Sequence, residues 1–132
     1  MKSYFADANI FLRFILHDNE EQSLKATSYF TQAKKGKLKI VFLSEIIMEI
    51  EYVLRKVYGE SREKISEYLS TLVKSPYILT PNRSILIAAL ELYKKTNFDF
   101  VDLVLFTSAH EQGAKVLSFD KDFEKLQRLA SS

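Results

Sequence analysis

Short apolar runs recur along this chain with a helical pattern between them, and that alternation restricts the fold more than any other feature of the sequence. Ser3-Tyr4-Phe5-Ala6 reads as a buried strand that stops at Asp7, after which Ile10, Phe11, Phe14 and Ile15 fall at helical spacing. A second helix is expected from about Glu20 to Lys35, closed by the left-handed conformation that Gly36 adopts without steric cost. The next strand runs from Lys39 to Leu43. Ser44 then caps a helix whose stripe is Ile46, Ile47, Ile50, Val53, Leu54 and Val57, and Gly59 ends it. Ser61 opens another helix with Ile65, Tyr68, Leu69 and Leu72. Pro76 and Pro81 bracket Tyr77 to Thr80, which leaves room for a turn or an edge strand. A helix follows from about Ser84 to Lys95.

From Phe98 to Gln112 apolar side chains occupy the whole circumference of the expected helix, so it should be largely buried. Gly113 closes it, Lys115 to Phe119 forms the last expected strand, and Asp120 precedes a short C-terminal helix containing Phe123 and Leu126. Strands separated by helices require right-handed crossovers, hence a mainly parallel sheet with helices on its faces, an α/β fold. The length of 132 residues suits one domain, residues 1–132, with no linker or repeat.

Composition removes several chemistries. With no cysteine and two histidines, His17 and His110, the chain cannot build a disulfide scaffold, a thiol nucleophile, a zinc ribbon or a three-His zinc site. The glycines Gly36, Gly59 and Gly113 all fall at expected helix ends, which leaves none for a phosphate-cradling loop or a dinucleotide fingerprint. There is no G-x-S-x-G elbow. No apolar run approaches the length of a membrane span, and Asp7 comes too early for a signal peptide, so a cytoplasmic protein is expected. Any chemistry must come from carboxylates.

Several acids stand where a purely structural role explains them poorly. Asp102 lies within Phe98-Asp99-Phe100-Val101-Asp102-Leu103-Val104-Leu105-Phe106, where a charge without a cation or donors would be costly. Asp99 precedes it by almost one turn and is equally well placed to cap the helix. Asp7 and Asp120 each end an expected strand, at the carboxyl edge where parallel sheets bind ligands. Glu49 and Glu51 lie on opposite flanks of their helix's apolar stripe, each about 100° or more from its centre, and spacing does not choose between them. Carboxylates converging on one cleft repel unless divalent cations lie between them, and oxygen-only ligation suits Mg²⁺ or Mn²⁺. Such ions, holding water against a phosphodiester, allow hydrolysis without a protein nucleophile.

These residues resemble the PIN domain family and, within it, the VapC-like ribonuclease toxins. Asp7-Ala8-Asn9-Ile10-Phe11-Leu12-Arg13 is similar to the family's opening D-x-N motif, and Ser44 to Leu54 to the segment bearing its glutamate. Phe100-Val101-Asp102, then Ala109 to Ala114 and Leu117 to Phe123, are similar to its closing half. The resemblance implies a three-layer α/β/α fold and an acidic metal-binding and catalytic quartet of Asp7, Glu49, Asp102 and Asp120, with Asp122 as the alternative fourth acid. It selects Glu49 over Glu51, because the family's glutamate precedes a run like Ile50 to Leu54. Asn9 would support Asp7 or a metal-bound water, and Ser118 stands where the family usually has threonine. Further implications are Mg²⁺ or Mn²⁺ as cofactor, RNA as substrate, a homodimer, and an inhibitory antitoxin.

Arg13 reads either as a helix-end cation balancing Asp7 or as a phosphate contact, and Lys121 similarly. The run Lys34, Lys35, Lys37 and Lys39 is a solvated turn or an electrostatic guide for RNA. A haloacid-dehalogenase-type phosphatase would need a second aspartate where Asn9 stands, and a receiver domain would need a strand-end lysine that has no candidate. The remaining alternatives are an RNA-processing nuclease without antitoxin and an inert RNA-binding or scaffold module. The formal charge of +2 argues against none of these: with the quartet set aside, nineteen basic residues face thirteen acids. A holoprotein would present a cationic surface to RNA.

Overall fold

The computed structural model describes residues 1–131. In chain order its elements are β1 (Lys2–Phe5), α1 (Ala8–Leu16), α2 (Glu20–Lys34), β2 (Leu38–Val41), α3 (Ser44–Lys56), α4 (Arg62–Lys74), β3 (Ile78–Leu79), α5 (Arg83–Lys95), α6 (Phe100–Glu111) and α7 (Asp122–Ser131). The strands form one parallel sheet in the order β1-β2-β3, pairing Tyr4 with Ile40 and Ile40 with Ile78. This is the α/β class that the alternation predicts. The Pro76 to Pro81 interval is the expected edge strand, two residues long.

Apolar spacing places the core between sheet and helices. Phe11 of α1, Phe30 of α2 and Phe42 after β2 are fully or almost fully buried. The Phe11 and Phe42 rings stack at 3.9 Å between centroids, and Phe14 stacks on Phe30 at 4.1 Å. Ile47, Ile50 and Leu54 of α3 join Ile65 and Leu69 of α4, Leu86 and Leu90 of α5, and Leu103 of α6 in the same cluster. Local signals end the helices where expected. Asp7, Asn19, Ser61 and Asp99 cap α1, α2, α4 and α6 through side-chain oxygens that accept backbone N–H groups. Gly113 follows α6 with φ of 69°, a conformation that favours glycine.

Five expectations change. The first strand, expected to be buried over Ser3 to Ala6, spans Lys2–Phe5 at the sheet's edge and is exposed at all four residues. Ser44 is the first residue of α3 rather than its cap; Leu43 occupies the cap position without a side-chain bond. Helix α6 begins at Phe100, since Asp99 caps it, and it is buried on one side only: Val101 and Leu105 are about half exposed. The apolar ring of this sequence exceeds what one helix packed against α5, α3 and α7 can cover. The second strand spans Leu38–Val41 rather than Lys39 to Leu43. Most consequentially, Lys115 to Phe119 forms no strand. It follows the last turn of α6, to which Gly113 and Ala114 are bonded, and runs along α6 and α7, with Leu117 and Phe119 fully exposed. A strand exists only through its ladder bonds, and no described segment offers this run a partner.

Candidate active site

The acids occupy three places. Asp7 stands at the carboxyl end of β1, where its Oδ1 accepts the Ile10 N–H at 3.2 Å; the carboxylate remains exposed, as does Asn9 on the first turn of α1. Glu49 is exposed on α3. The third place holds most of them. Asp99 caps α6, accepting the Val101 N–H at 3.2 Å; Asp102 sits in its first turn, and Asp120 and Asp122 lie where α7 begins. The Asp120 Oδ1 accepts the Asp122 N–H at 2.9 Å, while the Asp120 N–H donates to the Ser118 hydroxyl at 3.0 Å. Two successive turns thus orient the Asp120 carboxylate.

Asp102 has lost part of its water without gaining a donor among the described residues. Burial is the first cause that pushes its carboxyl above the ordinary range, and the charges of Asp99, Asp120 and Asp122 push it further. The sequence places Asp102 in a dry interior; the structure makes it half-buried, because the exposed flank of α6 passes beside it. Its environment is therefore a collection of like charges open to solvent. The donor set is all oxygen and uncompensated at Asp102, which is the chemistry that a hard divalent cation satisfies. Among the described residues, however, no three acids or histidines stand close enough together to hold one. The donors fit the cation in kind, and the geometry leaves the group open.

The structure separates Glu49 and Glu51 by environment. Glu51 is 3% exposed and fully engaged: its Oε2 accepts Arg55 Nε at 2.7 Å and the Tyr93 hydroxyl at 2.8 Å. Burial, then the bond to Glu51, raises the Tyr93 hydroxyl well above its ordinary value, which fixes it as a donor. The Arg62 guanidinium lies 3.8 Å from the Tyr93 ring centroid and donates to the Tyr93 and Phe98 carbonyls, tying α4 to α5 and to the entry of α6. Sequence reasoning missed this network, although the four-residue spacing of Glu51 and Arg55 signals it. Among the described residues Glu49 has no such partner. Arg13 does not balance Asp7: it is ion-paired with Asp18, which also accepts the Tyr58 hydroxyl at 2.8 Å.

Comparison with known proteins gives this arrangement its family. The PIN domain profile matches residues 4–129. The chain belongs to the PIN domain family. It is also 28% identical over 123 residues to the VapC ribonuclease of Aquifex aeolicus (strain VF5), an alignment that covers 91% of this chain and 89% of the relative. The PIN match spans the end of β1 and Asp7, the Glu49 helix and the Asp102 to Asp122 region. No described helix is long and apolar enough to cross a membrane.

Proposed function

We propose that this PIN domain protein is a Mg²⁺- or Mn²⁺-dependent endoribonuclease and the toxin of a toxin–antitoxin pair. The observation that carries the activity is a likeness to a VapC ribonuclease that runs through nine-tenths of the chain. The accessibility of the acids supports the choice of residues.

Asp7, Glu49, Asp102 and Asp120 would hold the cation, with Asp122 as the alternative fourth ligand. When bound, the ion supplies Lewis acidity and a water of lowered pKa at the phosphodiester. The protein's part is to present oxygens. The Ile10 N–H steadies Asp7, the Ser118 and Asp122 turns orient Asp120, and among the described residues no side chain bonds the Glu49 or Asp102 carboxylate. Asp99, committed to its cap, adds negative potential rather than ligation. Lys34, Lys35, Lys37 and Lys39 are exposed and attract the RNA backbone without regard to sequence.

Incubation of the purified protein with labelled RNA tests this reading. Cleavage should require Mg²⁺ or Mn²⁺ and stop with EDTA, and Asp7→Asn or Asp102→Asn should lower it by at least about a hundredfold, as expected when groups that stabilise a charged transition state are lost. Cleavage in EDTA, or at the wild-type rate in either variant, overturns it. The toxin role predicts growth arrest on expression, relieved by co-expression of a cognate antitoxin.

A further inference from the structure

Arg62, the first residue of α4, is a half-buried cation that bonds carbonyls and, among the described residues, pairs with no carboxylate. Its Nε donates to the Tyr93 carbonyl at 3.0 Å and its Nη2 to the Phe98 carbonyl at 2.6 Å, while its guanidinium carbon lies 3.8 Å from the centroid of the Tyr93 ring. One rigid fork thus spans the last turn of α5 and the residue before the Asp99 cap. A guanidinium used in this way fixes geometry rather than balancing charge.

The corner that it holds leads directly into the acids. The Phe98 N–H donates to the Thr96 hydroxyl oxygen at 3.4 Å, and that hydroxyl donates to the Leu92 carbonyl at 2.7 Å. Phe100, the first residue of α6, is buried and meets the Tyr93 ring edge-on, with centroids 5.5 Å apart and planes at 83°. Tyr93 donates its hydroxyl to Glu51 of α3 at 2.8 Å, and Arg55 closes on the same carboxylate oxygen at 2.7 Å. Glu51 is two residues from Glu49. A continuous run of contacts therefore joins the helix bearing Glu49 to the first turn of the helix bearing Asp102.

That turn needs a restraint from behind. The charges of Asp99, Asp120 and Asp122 act against Asp102, no described donor holds its carboxylate, and Val101 and Leu105 leave the outer flank of α6 open. Mutual repulsion works to part these acids. We propose that Arg62 is a positioning residue for the candidate site: with Tyr93 and Glu51 it sets the first turn of α6 against α3, and so holds Asp102 in register with Glu49 for a divalent cation. The consequence for the cation rests on the proposed nuclease site; the link between α6 and α3 does not.

Mn²⁺ titration of the purified wild type, Arg62→Met and Arg62→Lys tests this, with the free ion followed by electron paramagnetic resonance well below the melting temperature. Removing a positive charge by itself strengthens cation binding, whereas losing a positioning residue weakens it. Arg62→Met should bind Mn²⁺ on the order of ten- to a hundredfold more weakly. Arg62→Lys, which keeps the charge and loses the fork, should weaken with it. Unchanged or tighter binding in folded Arg62→Met, or wild-type affinity in Arg62→Lys, overturns the proposal. Ile65→Val, a change in the buried face of the same helix, controls for lost stability; it should keep wild-type affinity, and an equal weakening there overturns the proposal.

Hydrogen exchange in EDTA reads the link without the metal. The Leu103 N–H, which donates to the Asp99 carbonyl at 3.0 Å, should exchange faster in Arg62→Met relative to the rest of the core; uniform acceleration overturns the proposal. If Arg62→Met does not fold, Tyr93→Phe keeps the ring and removes only the bond to Glu51. It too should weaken Mn²⁺ binding, and wild-type affinity in the folded variant overturns the proposal. A wild type that binds no Mn²⁺ counts against the nuclease site, and exchange at Leu103 then decides the link between α6 and α3 by itself.

Discussion

Two groups of carboxylates, one around Glu51 and one around Asp102, show how differently a folded chain treats the same functional group. Glu51 is almost completely buried and has the Arg55 guanidinium and the Tyr93 hydroxyl within 2.8 Å. Asp102 is half-buried, touches no donor among the described residues and feels the charges of three more aspartates. Removing water from Glu51 is offset by bonds that join α3 to α5. At Asp102 the loss of water has no offset in the protein, and that deficit is what a cation would correct. Burial alone therefore does not set the environment of an acid; the bonds available to it do.

The largest effect should come from abolishing that deficit. Asp102→Asn should cut RNA cleavage by at least about a hundredfold while raising the melting temperature of the metal-free protein. The sign follows from the raised carboxyl of Asp102. Below the ordinary carboxylate range it is neutral whether folded or unfolded and contributes nothing; as pH rises through that range, ionisation costs more in the folded state. In EDTA the stability gain of the variant should therefore be absent in acid and complete at neutral pH. Thermal melts at several pH values measure it. Mn²⁺ should stabilise the wild type and leave the variant nearly unchanged; an equal Mn²⁺ shift in both would remove the contrast with Glu51.

At Glu51 the opposite pattern is expected. Glu51→Ala leaves Tyr93 and Arg55 without their acceptor and should cost roughly 2–4 kcal/mol in chemical denaturation. Glu49→Gln, two residues away on the exposed side of α3, should change stability by no more than about 0.5 kcal/mol while lowering cleavage. If Glu49→Gln destabilised and Glu51→Ala did not, the assignment of the two acids would be reversed.

Much of this division was legible in the sequence and some was not. The Asp7 switch from strand to helix, the Asp99 cap and the Ser61 cap are local events, decided within a few residues, and the structure contains them. Periodicity does not separate Glu49 from Glu51, because both flank the stripe and the residue that engages Glu51, Tyr93, is distant in sequence. Lys115 to Phe119 has a strand's composition, but strand formation is a property of two segments, and the partner is missing from the described chain. Asp102 reads as enclosed in the sequence and is half-buried in the fold for a related reason: apolar neighbours along a helix predict burial only if enough elements surround it, and α6 has an open flank. Local chemistry could be read, whereas tertiary pairing could not.

The smallest effect tests a third kind of acid, bonded yet open to water. Asp18 is ion-paired with Arg13 and accepts the Tyr58 hydroxyl, joining the end of α1 to the chain beyond α3. The bond to Arg13, and then that to Tyr58, holds the Asp18 carboxyl below its ordinary value. Its side chain is 37% exposed, so solvent screens much of the attraction, and Asp18→Asn should cost no more than about 1 kcal/mol. A lowered carboxyl contributes stability above its unfolded value and loses it as pH falls through the folded one. The gap between wild type and variant should accordingly be full at neutral pH and close on acidification. It should also shrink in 1 M salt, whereas the cost of Glu51→Ala should persist there, because buried pairs are screened far less. Denaturation curves at low and high salt measure both. A salt-resistant Asp18 gap would place this pair with Glu51 and leave burial unable to account for the difference.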